Sequence, residues 1–214
     1  MNLNKELRAF SMDDLKSDET GIITGHAAVF ERTADIGGWW EESIARGAFD
    51  ECDLSDVPLF KNHDTRGTPL ARSRRNNGNS TMTLATDNIG LAITATLDIE
   101  SNLEAKSVYS SIRRGDMDGM SFMFRVKDDK WTDLDTDYPK RTILKIGKVY
   151  EVSAVNFPAY KATNVQAASS GSSPEAVDTV KDTLDRVKKE YRDTNAELNL
   201  SIEILKSKTK FKSN

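Results

Sequence analysis

The chain has 214 residues, 37% of them hydrophobic, and a formal net charge of -4. That length supports one domain with a real core plus an appendage, and the acidic balance argues against a nucleic-acid partner, which needs a basic excess. No apolar run reaches the roughly 18 residues of a membrane span, the N-terminus has no apolar signal-peptide centre, and a single cysteine, Cys52, with two histidines offers neither a disulfide framework nor a metal-ligand set; the reading is a cytoplasmic protein with no membrane, metal or cofactor.

Short strands account for most of the chain to about residue 167. Glu6 to Phe10 and Gly21 to Glu31 are the first two, separated by a charged turn over residues 13–19. In the second, alternation puts Ile22, Thr24, His26, Ala28 and Phe30 on one face, which makes His26 a core or edge histidine rather than a catalytic one. Trp39 and Trp40 follow in a Gly-rich turn and read as aromatics capping the end of a small barrel, with a binding lip as the other option. Val57 to Lys61 is a strand that delivers Asn62, His63 and Asp64 at the point where an apolar run meets a polar turn. Arg72, Arg74 and Arg75 read as a solvated hairpin tip. Residues 81–86 and 91–99 form a hairpin about Asp87-Asn88-Ile89-Gly90, with Leu91, Ile93, Ala95, Leu97 and Ile99 on the core face.

Ser101-Asn102-Leu103-Glu104 is a capping-box pattern, and the helix it opens runs to Arg114 with Gly115 as its stop. Ala105, Val108, Tyr109 and Ile112 make its apolar stripe, and Arg113 and Arg114 suit the negative end of its dipole. The helix ends at Gly115-Asp116-Met117-Asp118-Gly119-Met120-Ser121, a tight turn that sets Ser121 at the start of an apolar strand with a fixed direction and an approach from solvent. Such a serine becomes a nucleophile only if a base takes its proton and a third group orients that base. Of the two histidines, His63 is the candidate base. In the last strand, residues 147–156, Glu151 shares a face with Val149, Ser153 and Val155; it lies either on a solvated edge or buried with a partner such as a histidine. Asp64 is a second possible orienter, ranked lower because adjacent residues of an extended chain point to opposite faces. Arg125, on the Ser121 face, is a candidate source of positive charge near the serine.

Gly25-His26-Ala27-Ala28-Val29-Phe30, Gly47-Ala48-Phe49, Asn62-His63-Asp64, Gly90-Leu91, Met120-Ser121-Phe122-Met123-Phe124, Trp131, Glu151-Val152-Ser153 and Phe157-Pro158-Ala159-Tyr160 occur in that order. The set resembles the prohead (capsid maturation) serine proteases of tailed bacteriophages over about residues 6 to 167. Met123 and Ala71 stand where that family often has glycine. The resemblance implies an α+β fold, a mainly antiparallel β-barrel-like core with flanking helices similar to the herpesvirus assemblin proteases. It also implies Ser121 as nucleophile, His63 as general base and Glu151 as the third member. By the same resemblance the activity is endopeptidase processing of the major capsid protein and its scaffolding segment, in the host cytoplasm inside the assembling prohead. A non-enzymatic assembly factor with the same fold is the competing class; a serine esterase is disfavoured because there is no Gly-x-Ser-x-Gly elbow and no strand–helix alternation.

A linker of Ala, Ser and Gly over 168–174 separates the domain of residues 1–167 from a helical tail, 175–214. Ser173 and Pro174 mark the helix start. Val177, Val180, Leu184, Val187, Tyr191, Thr194, Leu198 and Leu205 approximate a heptad seam, which reads as a self-associating or scaffold-binding coiled coil, with a helix packed on its own domain as the alternative. The linker is also the expected site of self-cleavage.

Overall fold

The computed structural model describes residues 5–11, 14–74, 79–156 and 174–210. In chain order the described strands begin with β1 (Glu6–Ser11), β2 (Lys16–Ser17), β3 (Ile22–Val29), β4 (Ala34–Ile36), β5 (Trp40–Ile44) and β6 (Asp56–Lys61). They continue with β7 (Ala71–Arg74), β8 (Met82–Thr86) and β9 (Gly90–Thr96); then come helix α1 (Leu103–Arg114), β10 (Gly119–Thr132), β11 (Lys140–Val155) and helix α2 (Pro174–Lys210). One sheet runs β1-β10-β11-β5-β4, with β6 on β11 and β7 on β6; a second runs β2-β3-β9-β8.

The architecture is α+β and mainly stranded, as expected, but the sheets are not closed into a barrel. Closure needs every edge strand to find a neighbour. Here one edge of β11 is taken in succession by two short parallel partners, β5 at Lys140–Ile143 and β6 at Val152–Ala154. β1 and β4 are left as the ends of the main path. The two sheets instead share one apolar core, to which Ile23, Leu91 and Ile93 contribute from one and Leu59, Phe122, Phe124 and Val152 from the other.

The alternation expected along β3 breaks at a bulge between His26 and Ala28. Before it Ile23 is buried, Ala27 within it is buried too, and after it Ala28 and Phe30 face inward, because one extra residue reverses which side chains face the core. Helix α1 matches its expected span and buries Ala105, Val108, Tyr109 and Ile112. Its N-cap is Asn102 rather than Ser101: the Asn102 carboxamide oxygen accepts from the Glu104 and Ala105 N–H groups at 3.0 and 3.1 Å. Gly115, at φ 76°, closes the helix in the left-handed conformation that favours glycine. The charged turn at residues 13–19 contains the short strand β2. β11 begins seven residues earlier than the expected Gly147, at Lys140, and pairs with β10 out to Thr132 through several register shifts.

Helix α2 is long, as read from the sequence. Leu184 on it is buried, and Lys188 Nζ donates to the Thr136 carbonyl at 3.0 Å, so around these residues it meets the loop between β10 and β11 of the same chain. Tyr191, Leu198, Leu200 and Ile202 further along are exposed. Residues 157–173, with the Phe157-Pro158-Ala159-Tyr160 motif and the linker, lie outside the described residues, as does Arg75.

Gly90 marks the tightest crossing: a Cβ there would lie 1.9 Å from the Ala28 carbonyl oxygen, a contact with backbone that no rotamer change relieves. Gly90→Ala is expected to lower stability by about 1–3 kcal/mol through overpacking, read as a lower urea midpoint with an unchanged m value.

Candidate active site

Glu151 is 2% exposed in the middle of β11. A carboxylate removed from water needs partners for both oxygens. Its Oε1 meets His63 Nδ1 at 2.7 Å, and its Oε2 accepts from the Ser153 hydroxyl at 2.6 Å. Of the two environments open to Glu151 from the sequence, the structure thus selects burial with a histidine.

His63 reaches that carboxylate because of a turn. Where β6 ends, Asn62 and His63 take φ values of 48° and 62°, and Asp64 N–H closes the turn on the Lys61 carbonyl at 3.0 Å. Positive φ at both central positions is the signature of a type I′ turn, and Asn and His are among the non-glycine residues that tolerate it. β11 holds the turn from beneath: Asn62 N–H donates to the Ala154 carbonyl at 2.9 Å. The Asn62 side-chain oxygen accepts from Asn156 N–H at 3.1 Å, and His63 N–H donates to Ser153 Oγ at 3.2 Å. The His63 side chain keeps 21% of its surface exposed, so the ring bridges a buried acid and the solvent.

Ser121 stands directly opposite Ser153 in the antiparallel β10–β11 ladder, and Met123 stands opposite Glu151. Directly opposed residues present their side chains on the same face, so serine, acid and histidine gather on one side of three adjacent strands. The hydroxyl is nevertheless not on the imidazole: Ser121 Oγ donates to the backbone carbonyl of Arg8 at 2.8 Å. Ser121 is also 0% exposed, contrary to the solvent approach expected from its place after a turn, and the β10 edge beside it is paired with β1, Ala9 standing opposite Ser121.

The position of Arg8 is fixed by a buried cluster of charges. Its guanidinium binds the Glu42 carboxylate and reaches Glu6 at 2.7 Å, and Arg141 binds Glu6 at 2.6 Å, Glu42 at 3.0 Å and Asp129 at 2.7 Å. Burial alone would lower the Arg141 pKa, but the adjacent Glu42 and Glu6 carboxylates outweigh it and raise it. Trp40 belongs to this cluster, edge-on to Trp131 at 5.2 Å and donating to Glu42 at 3.3 Å. This fits the structural role expected for Trp40, at a sheet end rather than a barrel end.

Asp64 does not approach the ring as the alternative orienter; its carboxylate accepts from Arg66 N–H at 3.3 Å and is exposed. The Arg125 guanidinium lies beside Gly147. Arg72 and Arg74 are on strand β7 rather than a hairpin tip, both facing Asp56. Sequence reasoning put Ser153 on the Glu151 face but gave it no role, and it missed Asn62 and the Arg8 carbonyl. The first two carried a readable signal, a hydroxyl two residues along a strand from a buried acid and an Asn-His pair at a turn. The third is a backbone atom and left none. Among the described residues, no group of three or more His, Cys, Asp or Glu side chains is placed to hold a metal ion.

A family model described as caudovirus prohead serine protease matches residues 8–178. The chain belongs to this family. The matched span holds His63, Ser121, Glu151 and Ser153 together with every described strand except the first residues of β1. Comparison with curated proteins and with solved structures gave no match. The prohead protease family is one of serine hydrolases that process capsid proteins within an assembling phage, which sets the class of chemistry in which this site is read. No described helix is long and apolar enough to cross a membrane.

His26, the other histidine, lies away from this constellation and fits the core or edge role read for it. Asp14 binds its Nδ1, and Asp87 lies 2.9 Å from its Nε2. Burial lowers the His26 pKa, but hydrogen bonds and charge from the two aspartates outweigh it, and the net shift is upward. Asp87, held by the Gly90 N–H and by His26, falls to about 2. A raised folded-state pKa gives stability that is complete below the unfolded value of about 6.5 and is lost as pH climbs through the folded value. The difference in urea midpoint between wild type and His26→Gln is therefore expected to be larger at about pH 6 than at about pH 9.

Proposed function

We propose that this chain is a serine endopeptidase that cleaves the major capsid protein and its scaffolding segment inside the prohead, with Ser121 as nucleophile, His63 as general base and Glu151 as the acid that orients it. The observation that carries this reading is the buried Glu151 carboxylate on His63 Nδ1, 2.7 Å away. A neutral imidazole whose Nδ1–H donates to a carboxylate keeps its Nε2 lone pair free to accept a proton, and the carboxylate stabilises the imidazolium that results. Ser121 Oγ leaves the Arg8 carbonyl, gives its proton to Nε2 and attacks the scissile carbonyl. Nε2–H then protonates the departing amine, and water repeats the sequence on the acyl-enzyme.

The proposed organisation is a protease domain over 1–167, a linker at 168–174 that is cut in cis or in trans, and a tail at 175–214 that self-associates or binds scaffold. Exposed Tyr191, Leu198 and Ile202 supply apolar surface for that association. The second reading, an assembly factor without activity, is favoured by the full burial of Ser121 and the engagement of its hydroxyl by Arg8.

Co-expression with the major capsid protein of the same phage, followed by intact mass, separates the two. Wild type is expected to remove the N-terminal segment of the capsid protein, and Ser121→Ala and His63→Ala to leave it whole. Glu151→Gln is expected to slow cleavage on the order of 10³–10⁴-fold by favouring the wrong tautomer. Co-assembly with no cleavage by wild type would favour the assembly factor. Purified wild type is expected to shed about residues 170–214 on incubation, and Ser121→Ala to keep its full mass.

A further inference from the structure

Ser153 touches both members of the His63–Glu151 pair. Its hydroxyl donates to Glu151 Oε2 at 2.6 Å and accepts from His63 N–H at 3.2 Å. It is 0% exposed, and it lies at the junction of three strands, opposite Ser121 on β10 and Phe60 on β6. A hydroxyl has one donor and two acceptor lone pairs, so this one group serves an acid and a backbone amide at once.

We infer that Ser153 is a positioning residue for the proposed reaction: it locks the Glu151 carboxylate and the His63 turn into the one arrangement that presents the imidazole to Ser121. The inference rests on the Ser121–His63–Glu151 reading. A glutamate has a free terminal torsion, and with only Oε1 held its carboxylate can rotate away from the ring. With Oε2 bound by Ser153 the plane is set, and Oε1 is left for Nδ1. The second bond acts on the backbone. Asn62 and His63 both hold left-handed φ values, a conformation that non-glycine residues keep only when neighbours enforce it. The Ser153 oxygen receives the N–H that this bend turns toward β11. Loss of the hydroxyl therefore loosens the base at its ring and at its main chain, while Ser121 on the facing strand stays in place.

The test measures the rate at which a fluorophosphonate probe labels the full chain, by intact mass, for wild type, Ser153→Ala, Ser153→Cys and Ser153→Thr. The proton NMR resonance of the His63 Nδ1–H is recorded on the same samples. Misplacing a catalytic group by about 1 Å lowers rates on the order of 10²-fold, so Ser153→Ala is expected to label about 10–100-fold more slowly. Ser153→Cys, close in size but a weak donor and acceptor, is expected to behave alike and carries the test if the alanine variant does not fold. Ser153→Thr keeps the hydroxyl and is expected to restore most of the rate. The downfield Nδ1–H signal of wild type is expected to persist in the threonine variant and to broaden or vanish in the other two. A folded alanine or cysteine variant with wild-type rate and an unchanged Nδ1–H signal would overturn the inference alone. Failure of wild type to label under conditions in which it cleaves the capsid protein, or labelling that survives Ser121→Ala, would overturn the reading of the site and this inference with it.

Discussion

Burying a carboxylate in an apolar strand is tolerated only where both of its oxygens are met, and breaking a buried charged contact by removing one partner costs about 3–5 kcal/mol. Glu151 imposes that condition on everything around it. Its partners come from the same strand, in Ser153, and from His63 on the turn after β6. To supply His63, β6 must run parallel to β11 in the observed register, with Phe60 beside Ser153, and the chain must then bend through two consecutive left-handed residues. The local strain at Asn62 and His63 is thus maintained by hydrogen bonds that end on β11 and on Asn156 just after it. Acid, turn and strand order form one mutually dependent unit.

A second unit meets it from the other side of β10. The ion cluster of Glu6, Arg8, Glu42, Asp129 and Arg141 pins β1 against β10 and ties both to β5 and β11. In consequence the Arg8 carbonyl lies within reach of the Ser121 hydroxyl and holds it. The packed state keeps Ser121 and His63 on one face but bonded to different partners. Moving the hydroxyl from one to the other needs a side-chain rotation at Ser121, whereas exposing it to a peptide needs displacement of what covers it. Membership of a family whose work is confined to an assembling capsid is compatible with a site that is closed in the isolated chain.

Much of this was legible in the residues. Helix α1 and its Gly115 stop followed from local chemistry, because a buried stripe at period 3.6 and a left-handed cap are both properties of consecutive residues. The hairpin β8–β9 was readable for the same reason. His63, Ser121 and Glu151 were found as an ordered set of short motifs, and the shared face of Glu151 and Ser153 followed from strand alternation. Features that depend on distant pairing were not visible. The bulge at His26 reverses the inward face of β3 without any composition signal. The division of one β11 edge between β5 and β6, which leaves the sheets open where a barrel was expected, is set by strands some 100 residues away in sequence. Burial of Ser121 and its bond to a main-chain carbonyl on the neighbouring strand β1 belong to the same class.

Peptide mapping of the fluorophosphonate adduct of the full chain tests the central claim most directly, since it asks whether Ser121 is a nucleophile that depends on the His63–Glu151 pair. The account predicts a single adduct on Ser121 that disappears in His63→Ala. An adduct on Ser153, or none on a folded protein that still cleaves the capsid protein, would contradict it.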